Sequence, residues 1–156
     1  MGEIAKILVV DDDESIRKTL KAVLEDEGYI VDTAENGQEA ITKSETQFFN
    51  LALIDIRLPD MEGTNLLTAF NQTTPRMVKI IVTGYPKLDN AVGALNKGAD
   101  AYILKPFNVP NMLEQIRKHL KKQEEAENYS EGKVTEFIET RAKIWEEESA
   151  SKHKES

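Results

Sequence analysis

The chain has 156 residues, a net charge of −8 and no cysteine. That length suits one domain with a buried core and some extra chain, and the missing cysteines exclude a disulfide framework and thiolate chemistry. The acidic balance argues against direct nucleic-acid binding. No apolar run approaches the ~20 residues that span a bilayer, and the N-terminus lacks a signal-type apolar stretch, so a cytoplasmic protein with no membrane contact is expected.

In chain order, Ile7-Leu8-Val9-Val10 is apolar and β-rich and predicts the first strand, ending in Asp11, Asp12, Asp13 and Glu14. Ile16, Leu20, Val23 and Leu24 recur on one face of a first helix, with Asp13 as its N-cap and Gly28 at its end. Capping does not account for Asp11 and Asp12, which come directly off the strand. A short second strand over 29–31 leads to Asn36, a cap with Glu39 as capping-box acid, opening a second helix. The third strand, 51–54, is an apolar run that ends abruptly in Asp55.

Pro59 then stops any regular element and Gly63 permits a tight re-entry. A third helix carries Leu66, Leu67 and Phe70 until Thr74-Pro75 breaks it. Asp60 and Glu62 are expected to stabilise the loop and the start of this helix, and Met61 to pack within the loop. A fourth strand over 78–82 ends in Thr83-Gly84-Tyr85-Pro86, and a fourth helix places Leu88, Ala91, Val92 and Leu95 on one face. The fifth strand, 101–104, ends in Lys105-Pro106-Phe107. A fifth helix, capped by Asn108, directs Val109, Met112, Leu113, Ile116 and Leu120 inward, with Pro110 tolerated in its first turn.

Five apolar strands alternating with helices predict an α/β fold whose parallel sheet is buried on both faces. Right-handed crossovers leave few topologies. A flavodoxin-like, doubly wound, five-stranded sheet in the order 2-1-3-4-5 is the natural one.

In such a sheet Asp11, Asp12, Asp55, Thr83 and Lys105 all come off strand ends on one edge, where ligands bind. Three carboxylates there need compensating charge. Oxygen ligands without His or Cys point to Mg²⁺. A divalent cation, a lysine ammonium and a hydroxyl around one carboxylate suit a phosphoryl group, and that carboxylate can be the nucleophile. Gly84 leaves room and a free N–H for a phosphoryl oxygen.

Four motifs carry a family resemblance: Val9-Val10-Asp11-Asp12, the run from Leu53 to Gly63, Val82-Thr83-Gly84, and Leu104-Lys105-Pro106-Phe107. Together, over roughly residues 4–122, the chain resembles a receiver domain of a two-component response regulator, of the stand-alone, chemotaxis-regulator-like kind. The resemblance implies that Asp55 accepts a phosphoryl group from a sensor histidine kinase or phosphotransfer protein. It implies that Asp12 and Asp55 ligate Mg²⁺ directly, Asp11 largely through water, and Arg57 by its backbone carbonyl. Thr83 would turn its hydroxyl to the phosphoryl group, Lys105 would pair with a phosphoryl oxygen, and Tyr102 would move inward behind Thr83 as part of the switch. The Lys105-Pro106 bond is expected to be cis. Bulky Arg57 and Tyr85 flank the path of water to the phosphoryl group and predict slow hydrolysis.

Residues 1–122 hold 18 acids and 15 Lys/Arg, and residues 123–156 hold 10 and 5, so the tail carries most of the net negative charge. The tail is expected to be acidic and partly helical, broken at 128–132 and disordered over 149–156. Val134, Phe137, Ile138, Arg141 and Trp145 recur at helical spacing. This face, or the face formed by the fourth helix, fifth strand and fifth helix, would take a downstream protein or a second copy. Arg17, Lys18 and Lys21 on the first helix would contact a kinase or simply be solvated. No output domain is recognisable. The competing readings are a constitutive scaffold and a Mg²⁺-dependent aspartyl phosphohydrolase. The latter expects an acid two residues after its nucleophile, where Arg57 stands.

Overall fold

The computed structural model describes residues 3–70, 76–84, 92–94 and 96–154; within its long C-terminal helix it describes backbone alone at 130–137, 143 and 147–154. The elements run β1 (Lys6–Val10), α1 (Glu14–Asp26), β2 (Ile30–Ala34), α2 (Gly37–Thr46), β3 (Leu51–Asp55), α3 (Gly63–Ala69), β4 (Val78–Thr83) and β5 (Ala101–Leu104), followed by the C-terminal helix Val109–Lys154. Tyr85, Leu88, Ala91 and Leu95, expected around the fourth helix, and the Thr74-Pro75 break lie outside the described residues.

The strands form one sheet in the order β2-β1-β3-β4-β5, and every pairing is parallel. Alternation along each strand sorts the side chains onto two faces. Ile7, Val9, Leu51, Leu53, Ile80 and Val82 meet Leu20 and Leu24 of α1 and Met112 and Ile116 of the C-terminal helix. Leu8, Val10, Ala52, Ile54 and Ile81 meet Ala40 of α2 and Leu66, Leu67 and Phe70 of α3. Both faces are dry, which is why β3 and β4 read as nearly unbroken apolar runs. β2 extends beyond the expected 29–31, because Asp32, Thr33 and Ala34 pair with Leu8, Val9 and Val10. Pairing with a neighbour overrides the weak strand propensity of an aspartate.

Caps follow the sequence closely. Asp13 accepts from the N–H groups of Ser15 and Ile16. Asn36 accepts from Glu39 N–H at 2.7 Å, and the Glu39 carboxylate reaches back to Glu35 N–H. Gly28 stands past the end of α1 with φ +97°, a conformation in which a side chain is strained.

The chain divides into two compact units, Met1–Gln123 and Glu124–Ser156. Gln123 is tied to the first. Its amide donates to the backbone oxygens of Asn50 at 2.9 Å and Arg76 at 2.7 Å, while its oxygen accepts from the Asn50 amide at 3.2 Å. The C-terminal helix is thereby fastened to the chain leading into β3 and β4. Gln123→Ala is expected to lower stability by about 1–2 kcal/mol, the worth of two or so partly buried hydrogen bonds. An unchanged urea midpoint would show that the clamp contributes nothing.

In the second unit the helix passes through residues 128–132, where a break was expected, and continues to Lys154, where disorder was expected. One interior glycine, Gly132, costs a helix only about 1 kcal/mol against its Glu-, Lys- and Ala-rich surroundings. Tyr129, Ile138, Ile144 and Trp145 are exposed. No helix among the described residues is long and apolar enough to cross a membrane.

Candidate functional site

The expected site residues gather at one edge of the sheet because parallel strands deliver their C-terminal ends to the same side. β1 delivers Asp11 and Asp12, and β3 delivers Asp55. Carboxylate oxygens of these three residues all lie within 4.8 Å of one another. Asp11 and Asp55 are only 3% and 9% exposed, whereas Asp12 is open to solvent. β5 delivers Lys105, whose Nζ donates to Asp11 Oδ2 at 2.7 Å and to Asp55 Oδ2 at 3.3 Å.

The other oxygens of these acids are also occupied. Asp11 Oδ1 accepts from Asp13 N–H at 2.9 Å, and Asp55 Oδ1 accepts from Arg57 N–H at 3.1 Å. The electrostatics follow from this crowding. Burial pushes the Asp55 carboxyl above the ordinary aspartate value; the Arg57 N–H and Lys105 oppose that, and the Asp11 charge adds to it. Burial works against the Lys105 charge, yet the bond to Asp11 and the charges of Asp11 and Asp55 hold its pKa above the usual lysine value. One cation shared by two buried acids thus leaves net negative charge. A divalent, oxygen-preferring ion fits this donor set, with Asp11, Asp12 and Asp55 as the groups that would hold it.

Thr83 is fully buried at the end of β4. Val82 is the register partner of Asp55, so Thr83 lies one step further along the neighbouring strand. Lys105 N–H donates to the Thr83 carbonyl at 2.7 Å, which ties the two strand ends together. Tyr102 lies opposite Ile81 on β4 and packs half-buried against the core on the α2–α3 side, the face that Thr83 shares by alternation. The Lys105-Pro106 peptide is cis, as expected. Arg57 is exposed, and Tyr85 lies outside the described residues.

Two site contacts escape a sequence reading. Arg17 is not simply a surface charge: its guanidinium donates to the Asp11 carbonyl at 2.6 Å, bracing the acidic loop from α1. A six-residue separation across a strand end and a helix start offers no periodic signal for it. Asp60 does not serve the start of α3, as expected, but caps α2. Its two oxygens accept from Gly37 N–H at 2.8 Å and Gln38 N–H at 2.9 Å. Asp60 and α2 are brought together only by the fold. Lys18 and Lys21 are exposed and pair along α1 with Glu14 and Glu25.

Known proteins share this fold. The response regulator receiver domain model matches residues 7–117. The chain is 41% identical over 107 residues to the transcriptional regulatory protein ZraR of Klebsiella oxytoca, covering 69% of this chain and 24% of that protein. It is 35% identical over 136 residues to the DNA-binding transcriptional regulator NtrC of Salmonella typhimurium, covering 85% of this chain and 29% of that one. The chain therefore spans about a quarter of the length of these curated relatives. Among solved structures, a CheY-like response regulator receiver domain protein from Methanospirillum hungatei is similar with a TM-score of 0.76 and 51% identity, over 80% of this chain and 99% of that one. The beryllofluoride-activated NtrC4 receiver domain dimer is similar with a TM-score of 0.71 and 39% identity, over 76% and 98%. With its family model matched across the whole sheet, the chain belongs to the response regulator receiver domain family.

Proposed function

We propose that this chain is a phosphorylation-controlled signalling switch that takes a phosphoryl group on Asp55 from a histidine kinase or phosphotransfer protein. The observation that carries this reading is Asp55 at the end of β3, 3.3 Å from the Lys105 ammonium and among carboxylate oxygens close enough to share one cation. A carboxylate oxygen of Asp55 attacks phosphorus, a P–O bond forms, and the P–N bond to the donor imidazole breaks. The imidazole leaves with a proton from solvent. Lys105, already charged and positioned, pairs with a phosphoryl oxygen. Buried Thr83 offers a hydroxyl to another. When bound, Mg²⁺ supplies positive charge against the phosphoryl oxygens. Water can later release phosphate from Asp55, so self-phosphorylation from small donors and slow self-dephosphorylation are the chemistry expected of this chain.

The downstream surface lies behind Thr83. Tyr102 lines a groove of about 300 Å³ together with Leu104, Pro106, Phe107, Asn111 and Met112. A change in Tyr102 on phosphorylation would reshape that groove for a protein partner.

Intact mass after treatment with acetyl phosphate and Mg²⁺ tests the reading. Wild type should gain one phosphoryl group and Asp55→Asn none. Equal labelling of both would move the acceptor elsewhere, and no labelling of either would favour a constitutive scaffold. The same variant has a second signature. A carboxyl whose folded-state pKa is raised stabilises the fold at low pH and loses that contribution as pH rises through the raised value. At neutral pH without metal, Asp55→Asn should therefore melt at a higher temperature than wild type.

A further inference from the structure

The loop after β3 folds back on itself. Gly63 N–H donates to the Ile56 carbonyl at 2.7 Å, Leu58 N–H donates to the Met61 carbonyl at 3.1 Å, and Arg57 and Glu62 form an antiparallel bridge. Residues 56–63 are thus a small closed hairpin with Pro59 and Asp60 at its tip. The base of the hairpin is held by β3 and α3. Its tip leaves the sheet edge, and what holds it is a different element, α2.

That grip has two parts. Asp60 takes the first two free N–H groups of α2, with one oxygen each on Gly37 and Gln38. Met61 lies so close over Gly37 that a Cβ there would run into its Sδ and Cγ. Asn36 supplies the third N–H cap of the helix, at Glu39. Two of the three side-chain caps of α2 are therefore donated by the loop that follows Asp55, from 22 to 23 residues away in sequence. Asn36 and Glu39 already give α2 a sufficient local start. The extra contact does more for the loop than for the helix.

We infer that Asp60 is a positioning residue for the phosphoacceptor site, latching the loop tip to α2 so that the Arg57 N–H, which donates to Asp55 Oδ1 at 3.1 Å, is held in place. This rests on the reading of Asp55 as an Mg²⁺-dependent phosphoacceptor. A carboxylate ligand binds best when its neighbours fix its orientation before the ion arrives. Freeing the tip lets residues 57–62 turn as a unit, and the Arg57 N–H that orients Asp55 moves with them.

Asp60→Ala and Asp60→Asn test the latch. Asp60 is exposed and Asn36 still caps α2, so both variants keep the fold, which dispersed amide NMR spectra verify. The measured quantity is the Mg²⁺ dissociation constant, from amide shifts in a titration without any phosphoryl donor. Asp60→Ala should raise it about fivefold, below the ~10–100-fold that follows loss of an outer partner of a side-chain ligand. Asp60→Asn, which keeps one acceptor oxygen, should raise it about twofold. The rate of labelling by acetyl phosphate at saturating Mg²⁺ should stay within about twofold of wild type, since Asp55 and Lys105 are untouched. A dissociation constant unchanged in Asp60→Ala, with wild type binding normally, overturns the latch and leaves the phosphoacceptor reading standing. A wild type that binds no Mg²⁺ and takes no phosphoryl group overturns that reading, and the latch with it.

Discussion

Replacing Lys105 with methionine should leave a folded protein that hardly accepts a phosphoryl group. The lysine side chain is only 19% exposed and reaches Asp11 at 2.7 Å and Asp55 at 3.3 Å. Methionine keeps the length and apolar stem but removes the charge. Breaking a buried ion pair usually costs ~3–5 kcal/mol. Here the loss is expected to be smaller, about 2–3 kcal/mol without metal, because a carboxyl already pushed up by burial can take a proton instead of remaining an unpaired charge. Magnesium should restore more stability to Lys105→Met than to wild type, since the variant presents three acids and no internal cation. The labelling rate has no such substitute. A preorganised donor aimed at developing phosphoryl charge is worth ~10²–10³ in rate. Urea denaturation in EDTA and in Mg²⁺, with labelling by acetyl phosphate at saturating Mg²⁺, measures both. A labelling rate within threefold of wild type would remove Lys105 from the chemistry.

Gly63→Ala should be the most damaging single methyl group near the site. Gly63 is buried at the start of α3. A Cβ there would overlap the Asp55 carbonyl oxygen and come within 3.0 Å of both the Asp55 carbonyl carbon and Ile54 Cγ2. Two of these atoms are backbone of Asp55 itself, so relief requires β3 or α3 to move. Overpacking of this kind costs about 3 kcal/mol. It also displaces Asp55 relative to Lys105, and a misplacement of about 1 Å costs ~10² in rate. Gly63→Ala should therefore lose stability and labelling together. A thermal midpoint equal to wild type would mean that the approach is relaxed in solution. Gly37 makes a useful contrast. A Cβ there meets only the flexible Met61 side chain, so Gly37→Ala should be far milder.

The sequence by itself determined the five strands in outline and which polar residues leave them at one edge. Short apolar runs, each ending in a polar residue, are local patterns, and a parallel sheet turns them into one edge whatever the loops do. Asp11, Asp12, Asp55, Thr83 and Lys105 were legible for that reason. The caps at Asp13 and Asn36 were too, because a cap and its N–H partners lie within three residues. The need for a tight approach at Gly63 could be read from its place after Pro59, although its partner could not.

Tertiary structure decided whatever depends on residues far apart in sequence. Asp60 stands just before α3, and propensity assigns it there; only packing brings the α2 terminus within its reach. Arg17 looks like a solvated charge until α1 crosses the end of β1. Gln123 sits in a charged stretch with no apolar period, yet it fastens the last described turn of the first unit to the chain entering β3 and β4. The second strand runs longer than its composition suggests because β1 supplies partners for Asp32 and Thr33. In each case a donor or acceptor found its match across 6 to 73 residues, or a neighbouring element outweighed a local preference, and neither leaves a periodic trace in the chain.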